Sequence, residues 1–201
     1  MIKKILLLTL LISVATRSSF AQERGSFDFN KMFAGGTLVV GLGFGNNSQF
    51  TIGGNPELGY SIFKNIDLGL CGNYIYTGTS YQYSNGYTNK TNITLSGIGV
   101  FSRIHISDGF FLQLQPESNN IKYYEYVKET GYVINDLKDL QSTSFLVGVG
   151  FGSRDVGSMN YFTTILIDLQ KDRYSPYRTY TGEISPIIRS GINFYFGRRK
   201  K

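Results

Sequence analysis

Apolar residues alternate with small or polar residues along several stretches of the chain, beginning with GTLVVGLGFG at residues 36–45. Side chains of a strand point alternately to its two faces, so this period of two predicts one apolar face and one small or polar face. Such a strand fits two environments. The apolar face can meet a second sheet in a soluble sandwich, or lipid in a membrane barrel.

Eight stretches carry this alternation and predict eight strands, at residues 36–45, 50–62, 66–77, 92–106, 110–117, 144–152, 161–169 and 187–196. Two of them contain an irregularity. Pro56 cannot donate to a ladder of hydrogen bonds and therefore predicts an edge or a bulge. In the fourth stretch the apolar parity changes between Leu95 and Ile98, which predicts a bulge or register break near Ser96.

The connections between these strands alternate in length, except that the first one on the long-loop side, at residues 46–48, is brief. The short ones cover residues 64–65, 107–109 and 153–159, whereas residues 78–91, 118–143 and 170–183 form long connections rich in tyrosine. Bacterial outer-membrane barrels have short periplasmic turns and longer external loops, and a soluble sandwich has no reason to sort its loops in this way. The sequence therefore predicts an all-β, eight-stranded, antiparallel, up-and-down transmembrane β-barrel.

Charged residues recur on the polar face of the predicted strands. They are Glu57, Asp67, Arg103, Glu117, Asp168 and Arg189. Burying six ionisable groups in a dry sandwich core would carry a large desolvation cost, whereas a narrow barrel interior accommodates them beside glycines. We expect the two arginines to pair with these carboxylates and to plug the lumen. Because eight strands leave room only for side chains, we do not expect solute conduction.

Composition supports a sheet and restricts the chemistry. The chain has 24 glycines, 15 tyrosines and 15 phenylalanines, and aromatic residues favour strands. Cys71 is the only cysteine and His105 the only histidine. An intrachain disulfide and a His/Cys metal cluster are thereby excluded, and we expect no cofactor.

The first residues have the pattern of a secretory signal peptide. Two lysines precede an apolar run that is too short to span a bilayer, and small residues precede Gln22. The expected organisation is a signal peptide at 1–21, a periplasmic segment at 22–34, a barrel at 35–197 and a basic tail at 198–201. Removing three basic residues with the signal leaves 17 against 14 acidic residues, so we expect no nucleic-acid partner. No later apolar run is long enough for a transmembrane helix.

The segment HIS at residues 105–107 is a candidate for chemistry. Lipid A deacylases of the eight-stranded kind use a His-x-Ser pair with a later acidic residue, for which Glu117 is the nearest candidate. Ser107, however, falls in a predicted periplasmic turn, whereas such an enzyme acts at the outer leaflet. We therefore favour a structural role for His105.

Several segments together resemble a known family. They are the FAQ that ends the signal, PELGYSIFKNIDLGL at 56–70, GVFSRIHI at 99–106 and GINFYFG at 191–197. With these, the chain resembles the small outer-membrane β-barrel domain proteins of Bacteroidota, which share the architecture of OmpX and the OmpA barrel. The resemblance covers residues 35–197 and implies an eight-stranded barrel in the outer membrane. It implies no activity.

The sequence thus predicts a non-enzymatic, monomeric outer-membrane protein with a structural or adhesive role. Residues 80–89 and 122–132 mix tyrosine, serine, asparagine and glycine, a composition found in adaptable binding surfaces. The expected partners are outer-membrane lipid and an external ligand or protein at these loops. Two alternatives remain open, a lipid-modifying enzyme and a soluble exported β-sandwich.

Overall fold

The computed structural model describes residues 28–44, 47–84, 86–172, 174–178 and 183–197. The expected signal peptide, the first part of the expected periplasmic segment and the basic tail lie outside the described residues. A short 3-10 helix, Phe29–Lys31, precedes the first strand, with the side chain of Asp28 capping its start. Within the described ranges, no helix is both long and apolar enough to cross a bilayer.

Eight antiparallel strands form a closed barrel in which each strand pairs with the next and the last pairs with the first. They are β1 (Met32–Gly43), β2 (Asn47–Phe63), β3 (Ile66–Gln82), β4 (Thr88–His105), β5 (Phe110–Val127), β6 (Val133–Gly152), β7 (Met159–Asp168) and β8 (Ile187–Tyr195). The prediction of eight up-and-down strands is confirmed.

The barrel is polar inside and apolar outside. In β1, Leu38 and Val40 are 86% and 70% exposed, whereas Thr37, on the opposite face of the strand, is only 4% exposed. Burial alternates in the same way along most of β5 and along β7 and β8, where every second side chain faces inward. Buried apolar side chains form only small clusters, one around Phe33 and Phe101 and one around Leu146 and Leu166.

Two of the predicted long loops are mostly strand. The chain is paired up to Gln82 and again from Thr88, so the connection between β3 and β4 is short, and residues 128–132 form the turn between β5 and β6. Tyrosine and threonine favour strands, and these segments continue the ladder as protruding hairpins. The third connection, residues 169–186, is long because β7 and β8 are short.

The predicted break near Ser96 is wrong. Ser96 pairs with Tyr74 on one side and Asn120 on the other, in registers that continue without a shift along β4. The change of apolar parity has another cause, because Leu95 points into the barrel at a height where the interior becomes apolar. Sequence alternation alone cannot distinguish a bulge from an apolar stretch of lumen.

Pro56 marks neither an edge nor a bulge, although the pairing of β2 with β3 skips Asn55 and Pro56 before it resumes in the same register. It pairs with Gly36 without a register shift, and the irregularity of β2 occurs later, between Ser61 and Phe63. Gly36 has φ +150, and a Cβ there would lie 2.4 Å from the carbonyl oxygen of Asn55. The close approach of strands β1 and β2 therefore requires glycine opposite the proline.

Candidate functional site

The six charged residues that the sequence places on the polar face all lie in the lumen. Each is at most 6% exposed; they are Glu57, Asp67, Arg103, Glu117, Asp168 and Arg189. A buried charge is costly unless it is paired and hydrogen-bonded, so the partners of each group decide what the lumen can do. The structure distributes the six among four groups of contacts.

Arg103 of β4 occupies the centre of the lumen. Its guanidinium donates to Oε2 of Glu57 at 2.6 Å and, through Nε, to Oε1 of Gln113 at 2.9 Å. The guanidinium carbon also lies 4.6 Å from the ring centroid of Phe101 and 4.7 Å from that of Phe162. Because Phe162 belongs to β7, the arginine reaches across the barrel and fills its middle.

Glu117 of β5 is the centre of a second group. It accepts from both terminal nitrogens of Arg189 at 3.2 and 3.3 Å and from the hydroxyl of Tyr177 at 2.6 Å. Gln115 and Asn119 donate to it as well, at 2.6 and 3.2 Å. Arg189 comes from β8, and Tyr177 comes from the connection between β7 and β8. The group therefore closes the lumen from several sides.

The two aspartates pair with neither Arg103 nor Arg189. Asp168 accepts from the backbone N–H of Phe145 at 2.9 Å and from the hydroxyl of Ser175, which fixes the start of the 169–186 connection. Asp67 bonds to Nε2 of His105 at 2.9 Å and to Arg154 at 2.6 Å. Arg154 lies in the turn after β6 and was not among the residues predicted from the sequence.

An amide chain that sequence reasoning missed links three strands to the Glu117 group. Thr37 donates to Asn55 at 2.9 Å, Asn55 donates to Asn73, and Asn73 donates to Asn119 at 3.1 Å. The intervening strand β4 contributes Gly97, where a Cβ would lie 2.1 Å from Oδ1 of Asn119. The available signal was the placement of asparagine at inward positions of successive strands. Its significance depends on a register that local patterning does not supply.

The structure does not bring the residues of the HIS hypothesis together as a triad. His105 bonds to Asp67, while Glu117, the acid expected to orient it, is bonded to Arg189 and Tyr177. Ser107 is exposed in the turn before β5. Across the described ranges, no group of three His, Cys, Asp or Glu side chains is placed to hold a metal ion.

No model of a known protein family and no curated protein sequence matches this chain. The functional interpretation therefore rests on the barrel and on the contacts inside it.

Proposed function

We propose that this chain is a small outer-membrane β-barrel protein of the kind found in Bacteroidota. The observation that carries the proposal is the distribution of side chains, with leucine, isoleucine and valine outside and paired charges inside. Water does not favour a continuous apolar surface around a protein, whereas lipid does. Closure also supports it, because a barrel pairs the strand edges that a bilayer could not hydrate.

Aromatic side chains near the short turns fit the same proposal. Phe110 and Phe151 contact each other on the outer surface at 5.2 Å between ring centroids, and Phe194 and Phe196 do so at 5.7 Å. Tyr161 is exposed on the neighbouring strand β7. Aromatic girdles mark the two interfaces of membrane barrels, so we assign this end to one of them.

We propose a structural or surface-contact role rather than transport or catalysis. The Arg103 and Glu117 groups occupy the lumen, which disfavours a pore. The β3–β4 and β5–β6 hairpins protrude at the opposite end from the short turns and expose tyrosines at their tips, among them Tyr83, Tyr87 and Tyr132. We infer that these tips contact an external ligand or protein, and that the barrel acts as a monomeric anchor.

Heat modifiability tests the barrel in a membrane environment. The protein, expressed without residues 1–21 and refolded in detergent, should migrate differently on SDS gels when loaded cold and when boiled, because a closed barrel has no free edge at which to open. Circular dichroism of the cold sample should show β structure. A protein that is soluble without detergent and shows no shift would refute the membrane location of the barrel.

Cysteine labelling on intact cells tests the orientation separately. Cys71 is buried, so a single introduced cysteine provides the accessible thiol. Thr130→Cys lies in a hairpin turn and should react with a membrane-impermeant maleimide, whereas Asp108→Cys, in a short turn at the other end, should react only after lysis. The reverse pattern would place the hairpins in the periplasm and refute the surface-contact role.

A further inference from the structure

The lumen changes from polar to apolar beyond the Glu117 group. On the protruding parts of β3 to β6, the inward-facing side chains and residues 174–178 line an open cavity of about 680 Å³, which we call the upper chamber. Its apolar lining consists of Ile75, Ile93, Leu95, Ile121, Leu137 and Leu140. So many exposed aliphatic side chains are unexpected in a lumen whose other apolar side chains are buried in small clusters. The upper chamber is separate from the charged groups that fill the middle of the barrel.

A bulge in β6 contributes to this lining. Ile121 pairs with Leu140 and Tyr123 pairs with Leu137, with a register shift between the two pairs. Residues three apart point to opposite faces of a regular strand, so without the extra residue only one leucine would face the chamber. Asp139, at φ 60, takes up the extra residue. Bulges of this kind redirect side chains, and here both leucines are directed inward.

Tyr177 forms the floor of the upper chamber. It is buried, and its hydroxyl is engaged by Glu117 and Arg189 below. Arg178 in the chamber lining and Glu125 beside it are engaged too. Arg178 donates to the backbone carbonyls of Asp168 and Gln170, at 2.8 Å each, and Glu125 accepts from Tyr123 at 3.1 Å. The protein thus satisfies these polar groups itself and leaves aliphatic side chains as the main contact surface.

We propose that the upper chamber binds a small uncharged molecule with an alkyl or aryl body. Ligand sites are concave, measure about 300–1,000 Å³ and combine apolar walls with a few polar groups. The chamber meets each condition, with Asn135 and Thr77 as the polar groups. Because the charges at its walls are bound within the protein, nothing there selects an ionic head group. The ligand therefore gains affinity from apolar contact.

A pair of adjacent tyrosines provides the test. The chain contains no tryptophan, so Tyr123→Trp places a single indole in the chamber and Tyr124→Trp places one on the outer face of the same strand. The probe is 12-bromododecan-1-ol, an uncharged alkyl chain whose bromine quenches indole on contact. Titration of the refolded variants should quench the inward indole strongly and saturably. The outward indole should lose emission only in proportion to the probe dissolved in the detergent.

Two further variants separate binding from partition into detergent. In the Tyr123→Trp background, Leu137→Asn should abolish the saturable quenching, whereas Lys138→Asn, at the neighbouring position outside the chamber lining, should leave it unchanged. All variants are first checked for the heat-dependent gel shift. Equal quenching of both indoles, or none of the inward one, overturns the proposal. Because the gel shift is scored independently, an empty chamber is distinguishable from a failed barrel.

Discussion

Replacing Arg103 by methionine should strongly destabilise the refolded barrel. The substitution keeps an unbranched apolar stem among Phe101 and Phe162 but removes the guanidinium that faces Glu57 at 2.6 Å. Glu57 then remains in the lumen at 6% exposure without its cation. The dominant effect is therefore an unpaired buried carboxylate and not a cavity.

The expected size follows from that carboxylate. Removing one partner of a buried ion pair typically costs about 3–5 kcal/mol, because the remaining charge is uncompensated. The hydrogen bond to Gln113 is lost as well. Replacing both ionic partners by neutral groups of similar volume is often nearly neutral. We therefore expect the double variant Arg103→Met with Glu57→Gln to recover most of the loss.

Urea unfolding of the refolded barrel, followed by far-ultraviolet circular dichroism, measures these effects. Ser102→Ala, at the neighbouring position that faces away from the lumen, is the control and should stay within about 0.5 kcal/mol of the parent. If Arg103→Met unfolds at the same urea concentration as the parent, the reasoning on the lumen network is refuted. A double variant no more stable than the single one would show that charge compensation is not the cause.

Two other perturbations follow from the structure. Gly97→Ala should destabilise the barrel by about 1–3 kcal/mol in the same urea assay, because its Cβ would collide with Asn119, whereas Gly78→Ala meets no atom closer than 3.4 Å and should be tolerated. Equal effects of the two would count against the amide chain. The backbone N–H of Thr143 donates to Asp172 at 3.0 Å, and this contact lowers the pKa of that carboxyl below its ordinary 3.8. The hydrogen bond between Thr143 and the Asp172 carboxylate is therefore present at neutral pH and is lost only as the pH falls through the lowered pKa. The NMR signal of the Thr143 amide proton should accordingly titrate with a midpoint below 3.8. A higher midpoint contradicts the contact.

Local alternation predicted much of the interior. The inward positions of Arg103 and Glu117 follow from strand parity, which is a property of consecutive residues and needs no partner. The partners of these two residues do not follow from parity. Glu57 and Arg189 are 46 and 72 residues away from their respective partners, so their contacts depend on how the strands are aligned around the barrel.

The sequence by itself determined eight strands, their two faces and the presence of charges on the inner face, because apolar residues alternate with small or polar ones within each segment. Only the tertiary structure decided that Leu95 faces inward without a break at Ser96, that Tyr177 folds back onto Glu117, and that the bulge at Asp139 opens an apolar chamber. Each of these depends on register and closure. They arise between segments distant in sequence, where a shift of one residue reverses every face.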